Sequence, residues 1–96
     1  MIERHEIHRV MEVGSAGLFR LRVKFEDGTS RIIDFGDVLY GKLFGPLRDP
    51  KIFDQVKLDE EAHTLVWPNG ADFDPETLYN WDRYLPAMKA QMQKFA

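Results

Sequence analysis

The chain has no cysteine among its 96 residues. That excludes a disulfide framework, a thiol nucleophile and a thiolate metal site, and it fits a reducing cytosol. Long apolar runs are missing too: no stretch approaches the roughly 20 residues of a membrane span. The opening Met1-Ile2-Glu3-Arg4-His5 has no apolar segment of the kind a secretory signal needs. A cytoplasmic protein without membrane attachment is therefore expected. Basic charge is not in excess. With 13 Lys+Arg against 16 Asp+Glu the net charge is -3, so no global attraction to nucleic acid or anionic lipid is indicated. Histidines are few. His5, His8 and His63 are all there are, and His5-Glu6-Ile7-His8 lacks the four-residue histidine spacing of a zinc helix. Asp72 and Asp74 do not have the ligand spacing of a calcium loop. Ser15 and Ser30 stand in turn or strand contexts without a nucleophile elbow. No metal, no cofactor and no enzymatic activity are expected from this inventory.

What is present is an ordinary folding composition, 44% hydrophobic and 30% charged. One domain over residues 1–96 is the default at this length. It buries somewhat over ~60% of its unfolded surface, enough for one modest core. The densest local signal is Trp67-Pro68-Asn69-Gly70-Ala71-Asp72-Phe73-Asp74-Pro75-Glu76. Pro68 keeps Trp67 extended, Asn69-Gly70 is a turn dipeptide, and Asp74-Pro75 is an N-cap followed by proline at the first helical position. These residues end a strand, turn the chain and start a helix.

Upstream, Ile7 to Val13 reads as a strand and Gly14-Ser15-Ala16-Gly17 as a turn. Leu18 to Phe25 alternates cleanly, with Phe19, Leu21, Val23 and Phe25 on one face and Arg20, Arg22 and Lys24 on the other. Glu26-Asp27-Gly28 returns the chain into Thr29 to Phe35. A two-residue loop would set Lys24 opposite Arg31. A three-residue loop with Gly28 left-handed sets Leu21 opposite Ile33 and Arg20 opposite Asp34, and it is preferred because it keeps one face apolar. Val23 opposite Arg31 is its blemish. Asp37 is placed to cap a turn through Tyr40, interrupted by Gly41 and Gly45-Pro46. Leu43, Phe44 and Leu47 are expected to pack over the sheet. Asp49-Pro50 starts a turn of helix to Phe53 or Asp54. Gln55 to Asp59 and Thr64 to Trp67 read as a hairpin. Pro75 to about Trp81 is helical, and the apolar stripe runs on through Leu85, Met88, Met92 and Phe95, with Pro86 either kinking or breaking it. The fold class expected is α+β: an antiparallel sheet of about five short strands, with the middle segment and C-terminal helices covering one face.

Three blocks in this order resemble the small bacterial family catalogued as Domain of Unknown Function 2442. They are Phe25-Glu26-Asp27-Gly28, then Phe44-Gly45-Pro46-Leu47-Arg48-Asp49-Pro50-Lys51-Ile52-Phe53, then Leu65-Val66-Trp67-Pro68-Asn69-Gly70-Ala71-Asp72 with Pro75-Glu76-Thr77-Leu78-Tyr79. The resemblance covers roughly residues 7 to 80. It implies a compact α+β domain with no established activity and no catalytic residue to carry over. It also implies a hint of pairing with a second small protein, as in a toxin–antitoxin-like pair. The helix-turn-helix that some members add does not fit in the residues left after position 80, so DNA binding through one is not carried over.

The candidate sites follow, each with its local alternative. Trp67, Asn69, Gly70 and Asp72 can form a recognition loop, or they can cap the core and shape the turn. Arg48 can grip a partner's carboxylate or phosphate, or pair with Asp72, while Asp49 caps a helix. Trp81, Leu85, Met88, Met92 and Phe95 can form a partner-binding helix face, or core packing. The leading expectation is a non-enzymatic interaction module, with a protein as partner. A nucleic-acid-binding regulator using Arg20, Arg22, Lys24 and Arg31 is the first alternative, although aromatics for base stacking lie on the opposite face. A small enzyme or ligand-binding protein using Arg48, Asp49 and Asp72 is the second.

Overall fold

Strict alternation in Arg20–Phe25 settles the centre of the molecule. Leu21, Val23 and Phe25 are buried, while Arg20, Arg22 and Lys24 face solvent. The computed structural model describes residues 8–92; His5 and Phe95, both singled out above, lie outside them. Within that range β1 (Val10–Gly17), β2 (Arg20–Phe25) and β3 (Ser30–Asp34) form an antiparallel sheet in the order β1-β2-β3. The expected register of β2 on β3 is found: Leu21 opposite Ile33, Arg20 opposite Asp34, Val23 opposite Arg31. Gly28 takes φ +91 and its N–H donates to the Phe25 carbonyl at 2.9 Å, completing the three-residue loop with a left-handed glycine. Arg31 resolves its mismatch with Val23 by reaching under the sheet to the Tyr79 carbonyl at 2.6 Å and Asp82 at 2.9 Å.

The first strand runs further than expected. Gly14 and Ser15 pair with Arg22 and Leu21 rather than forming the turn, and a bulge between Val10 and Glu12 shifts the register. The chain turns at Leu18 and Phe19 instead. Phe19 holds φ +55, costly for a bulky residue. Its ring meets Phe53 edge-on at 5.6 Å and its carbonyl accepts the Phe35 N–H at 2.8 Å, so packing holds the conformation in place.

The single five-stranded sheet is not formed. The five strands divide into the three-stranded sheet and a separate hairpin of β4 (Lys57–Asp59) and β5 (Thr64–Val66). His63, at φ +53, accepts the Val10 N–H at 2.8 Å beside the start of β1, and no strand pairing joins the hairpin to that sheet. Three-residue strands offer no length for a continuous ladder.

Between β3 and β4, short helical turns cover one face of the sheet: α1 (Gly41–Phe44) and α2 (Pro50–Phe53), with 3-10 turns over Gly36–Val38 and Gly45–Arg48. Asp49 caps α2 through the Lys51 N–H at 2.9 Å. Asp37 does not cap its turn; Asp34 accepts the Gly36 N–H at 2.9 Å in its place, and Asp37 lies near Lys89 at 3.7 Å. Gly41 begins a helix instead of interrupting one. Leu47 is buried and Phe44 half-buried, but Leu43 is exposed. At the C-terminal end, α3 (Pro75–Tyr79) starts on the Asp74 cap and α4 (Trp81–Met92) follows. The break falls at Asn80, and Pro86 sits inside a continuous α4. The core is aromatic at its centre: Phe35 lies within 6.1 Å, centroid to centroid, of Phe53, Trp67, Phe73 and Trp81. None of the described helices is long and apolar enough to cross a membrane.

Candidate functional site

Asn69 and Gly70 build the loop around Trp67. Gly70 supplies φ +91, the Asn69 side chain accepts the Ala71 N–H at 3.1 Å, and its amide donates to the Leu43 carbonyl at 2.9 Å. The loop is thereby fastened to α1. Trp67 points inward, 2% exposed, and its indole N–H donates to the Phe53 carbonyl at 2.8 Å. Asp72 is exposed and bridges Val66 through the backbone. Among these residues only Asn69, Gly70 and Asp72 face solvent.

Arg48 and Asp72 form no ion pair. The Arg48 guanidinium lies 4.8 Å from the centroid of the Tyr40 ring, a cation–π contact on the surface. Asp49 is occupied as the α2 cap. These three polar residues hold separate local positions rather than converging. On α4, Trp81 is buried against Phe35 and Phe73. Leu85, Met88 and Met92 pack half-buried on the same core. The amphipathic stripe of that helix therefore faces the chain's own interior.

The outer face of the three-stranded sheet is different. Nothing in the described chain covers it. Arg20 is partnered by Asp34 at 3.3 Å and Lys24 by Glu12 at 3.7 Å. Arg22, between them, has no ion pair among the described residues. It is flanked by Gly14 on β1 and Ile32 on β3. No atom comes within 4 Å of where a side chain on Gly14 would begin. The result is a shallow depression of about 320 Å³ lined by Glu12, Val13, Gly14, Arg22, Lys24 and Ser30. Ile32, 59% exposed, stands opposite Arg22 on β3. Arg31, the fourth cation of the nucleic-acid reading, is on the other side of the sheet.

A polar clasp that the sequence did not announce joins the β2–β3 turn to α3. The His8 ring stacks on Tyr79, centroids 3.5 Å apart, and its Nδ1 lies 2.9 Å from Glu76 Oε2. Glu76 also accepts the Asn80 amide at 2.8 Å. Tyr79 donates its hydroxyl to Asp27 at 2.6 Å. The only advance signal was that Asp27 and Tyr79 both belong to the blocks that carry the family resemblance. The Tyr79 hydroxyl, the Thr29 backbone N–H and nearby His8 hold the Asp27 carboxyl below its ordinary value of 3.8. A depressed folded-state pKa stabilises the fold above the unfolded value, and that contribution is lost as pH falls through the folded one. Asp27→Asn should therefore lose stability against the parent at neutral pH. The gap should close as pH drops below about 4, which urea titrations at several pH values measure. A gap independent of pH would mean that the charge of Asp27 contributes nothing.

Within the described residues every fully buried side-chain nitrogen or oxygen has a partner, and no group of three or more His, Cys, Asp or Glu is placed to hold a metal ion. Among the cations of the outer sheet face, Arg20, Arg22 and Lys24, only Arg22 has no ion pair within the described residues. No curated protein and no solved structure matches the chain significantly. The sequence model of the family described as protein of unknown function (DUF2442) matches residues 10–84, with all three motif blocks inside the match, and the chain belongs to that family.

Proposed function

We propose that this domain is a non-enzymatic interaction module of the cytoplasm, one half of a two-protein regulatory pair, and that its partner docks on the outer face of the three-stranded sheet. The observation that carries this is Arg22. It is the one cation of its strand face without an ion pair among the described residues, and it stands beside a vacant position at Gly14 and the exposed Ile32. An unpaired guanidinium next to an exposed aliphatic side chain suits a protein presenting a carboxylate beside an apolar residue. The absence of thiols supports the compartment. The separate local roles of Arg48, Asp49 and Asp72 support a role without catalysis. A nucleic-acid platform is disfavoured because Arg20 and Lys24 are already neutralised in part and Arg31 lies beneath the sheet.

The test is native mass spectrometry of the tagged protein purified gently from its own host. A stoichiometric protein complex is expected from the parent and none from Arg22→Glu, with unchanged circular dichroism, while Asp72→Ala keeps the partner. A chain recovered alone, or a complex indifferent to Arg22→Glu, overturns the reading. Recovery with nucleic acid, weakening steeply with salt, would replace it with the alternative.

A further inference from the structure

The edge of β3, unpaired among the described residues, carries a second surface that shares Ile32 with the sheet face. At the two ends of the β2–β3 ladder, the Phe25 N–H donates to the Thr29 carbonyl and the Phe35 N–H to the Phe19 carbonyl, each at 2.8 Å. Hydrogen-bonded pairs alternate along an antiparallel ladder. Arg31 and Ile33 therefore bond to β2, whereas Ser30, Ile32 and Asp34 aim their N–H and C=O groups away from it. Among the described residues nothing meets those groups.

We infer that this edge pairs with the same edge of a second copy of the chain, antiparallel about a two-fold axis at Ile32, joining two three-stranded sheets into one of six. The chemistry is self-complementary. Only the register centred on Ile32 uses all three outward residues: Ile32 meets the partner's Ile32, and Ser30 meets the partner's Asp34. Each such pair exchanges both backbone hydrogen bonds. The two exposed isoleucines cover one another on the outer face. Charges alternate across the joined sheet, since Glu12 lies opposite Lys24 and Lys24 opposite Ser30 in one copy, and Asp34 lies opposite Arg20 in the other. No like charges stand directly opposite, an arrangement that stabilises cross-strand pairs. Edge strands commonly use charge to resist pairing. Here Arg31 is drawn under the sheet by the Tyr79 carbonyl and Asp82, and Asp34 is held by Arg20 and the Gly36 N–H. Neither charge projects across the edge.

Sedimentation equilibrium of the purified chain tests this directly. A monomer–dimer equilibrium is expected with a dissociation constant of about 1 mM or tighter. Ile32→Pro should weaken it at least tenfold. The proline removes only an N–H that faces away from β2, so the monomer keeps its ladder; circular dichroism checks the fold, and Ile32→Lys serves as a second disruptive variant. The register is read by crosslinking, for which the chain supplies a cysteine-free background. Facing Ile32→Cys residues would have Cα atoms about 5.5 Å apart, within reach of a disulfide. Two Ser30→Cys residues would be offset by four positions, about 13 Å. Oxidation should join the first variant and not the second. A chain still monomeric at about 1 mM, dimerisation indifferent to both Ile32 variants, or equal crosslinking at the two positions overturns the proposal. Edge and face fail separately: Arg22→Glu tests the partner and leaves the edge intact, and because Ile32 stands on both surfaces the edge is tested on the purified chain alone, where no partner is present.

Discussion

Trp67→Ala is expected to cost about 3–5 kcal/mol of folding stability. The ring is almost fully buried and packs against Phe35, Phe53 and Phe73. Removing it empties the centre of an aromatic cluster whose members are fixed by the sheet above and the helices below. A domain of this size has a total stability of about 5–14 kcal/mol, so the variant should lie near its unfolding midpoint in mild urea. Trp67→Phe separates two causes. It keeps most of the packing but removes the indole N–H from the Phe53 carbonyl. That carbonyl still accepts the Val56 N–H at 3.2 Å, so it is not orphaned, and the cost should fall to about 1–3 kcal/mol. Urea denaturation followed by far-ultraviolet circular dichroism measures both. A loss below about 1 kcal/mol for Trp67→Ala would mean that the ring is not part of the core, and would restore Trp67 as an aromatic available to a partner.

The strands with strong alternation and explicit turn chemistry were legible from residues alone. Arg20–Phe25 and Ser30–Asp34 pair in the expected register because any slip would have put charges into the core. Asp49-Pro50 and Asp74-Pro75 start helices because each aspartate accepts N–H groups of the first turn. The end of β1 was not legible. Gly14-Ser15-Ala16-Gly17 has turn composition, and the later turn is held by contacts distant in sequence, the Phe19 ring on Phe53 and the Phe19 carbonyl on the Phe35 N–H. The split into two sheets was not legible either, and the positive φ of His63 beside β1 is a conformation that no local pattern specifies. For the candidate surfaces the limit was distance along the chain. Trp67 meets Phe53, Asn69 meets Leu43, and His8 meets Tyr79, contacts between segments that pattern reading treats separately. Alternation told which side chains of β3 face outward. It could not tell that no described strand pairs with the edge beside them, because that depends on where β4 and β5 go.

Pro86→Ala is expected to stabilise the protein. Pro86 lies inside α4, with helix continuing on both sides of it. It has no N–H to give the Asp82 carbonyl, and its ring crowds that carbonyl. In a helix interior proline is about 3 kcal/mol less favourable than alanine. Two terms reduce the gain. Proline restricts the unfolded chain, which is worth about 0.4–1 kcal/mol to the parent, and α4 has already adapted its backbone to the ring. The side chain is exposed, so little burial is lost on replacement. A net gain of about 1–2 kcal/mol follows, or several degrees to over ten in Tm for a domain of this length, measurable by differential scanning calorimetry. The opposite result would be informative. If Pro86→Ala destabilises, the proline helps to aim Leu85 and Met88 at the core, and its local cost is offset by tertiary contact. If it stabilises, the proline carries a folding disadvantage where it stands. Its surroundings then become relevant, since Leu85, Pro86, Lys89 and Ala90 line a shallow depression of about 450 Å³ on the solvent side of α4. The stabilised variant should therefore be carried through the partner-binding measurement alongside Arg22→Glu: a partner retained by Pro86→Ala and lost by Arg22→Glu localises docking to the sheet face, and the reverse localises it to α4.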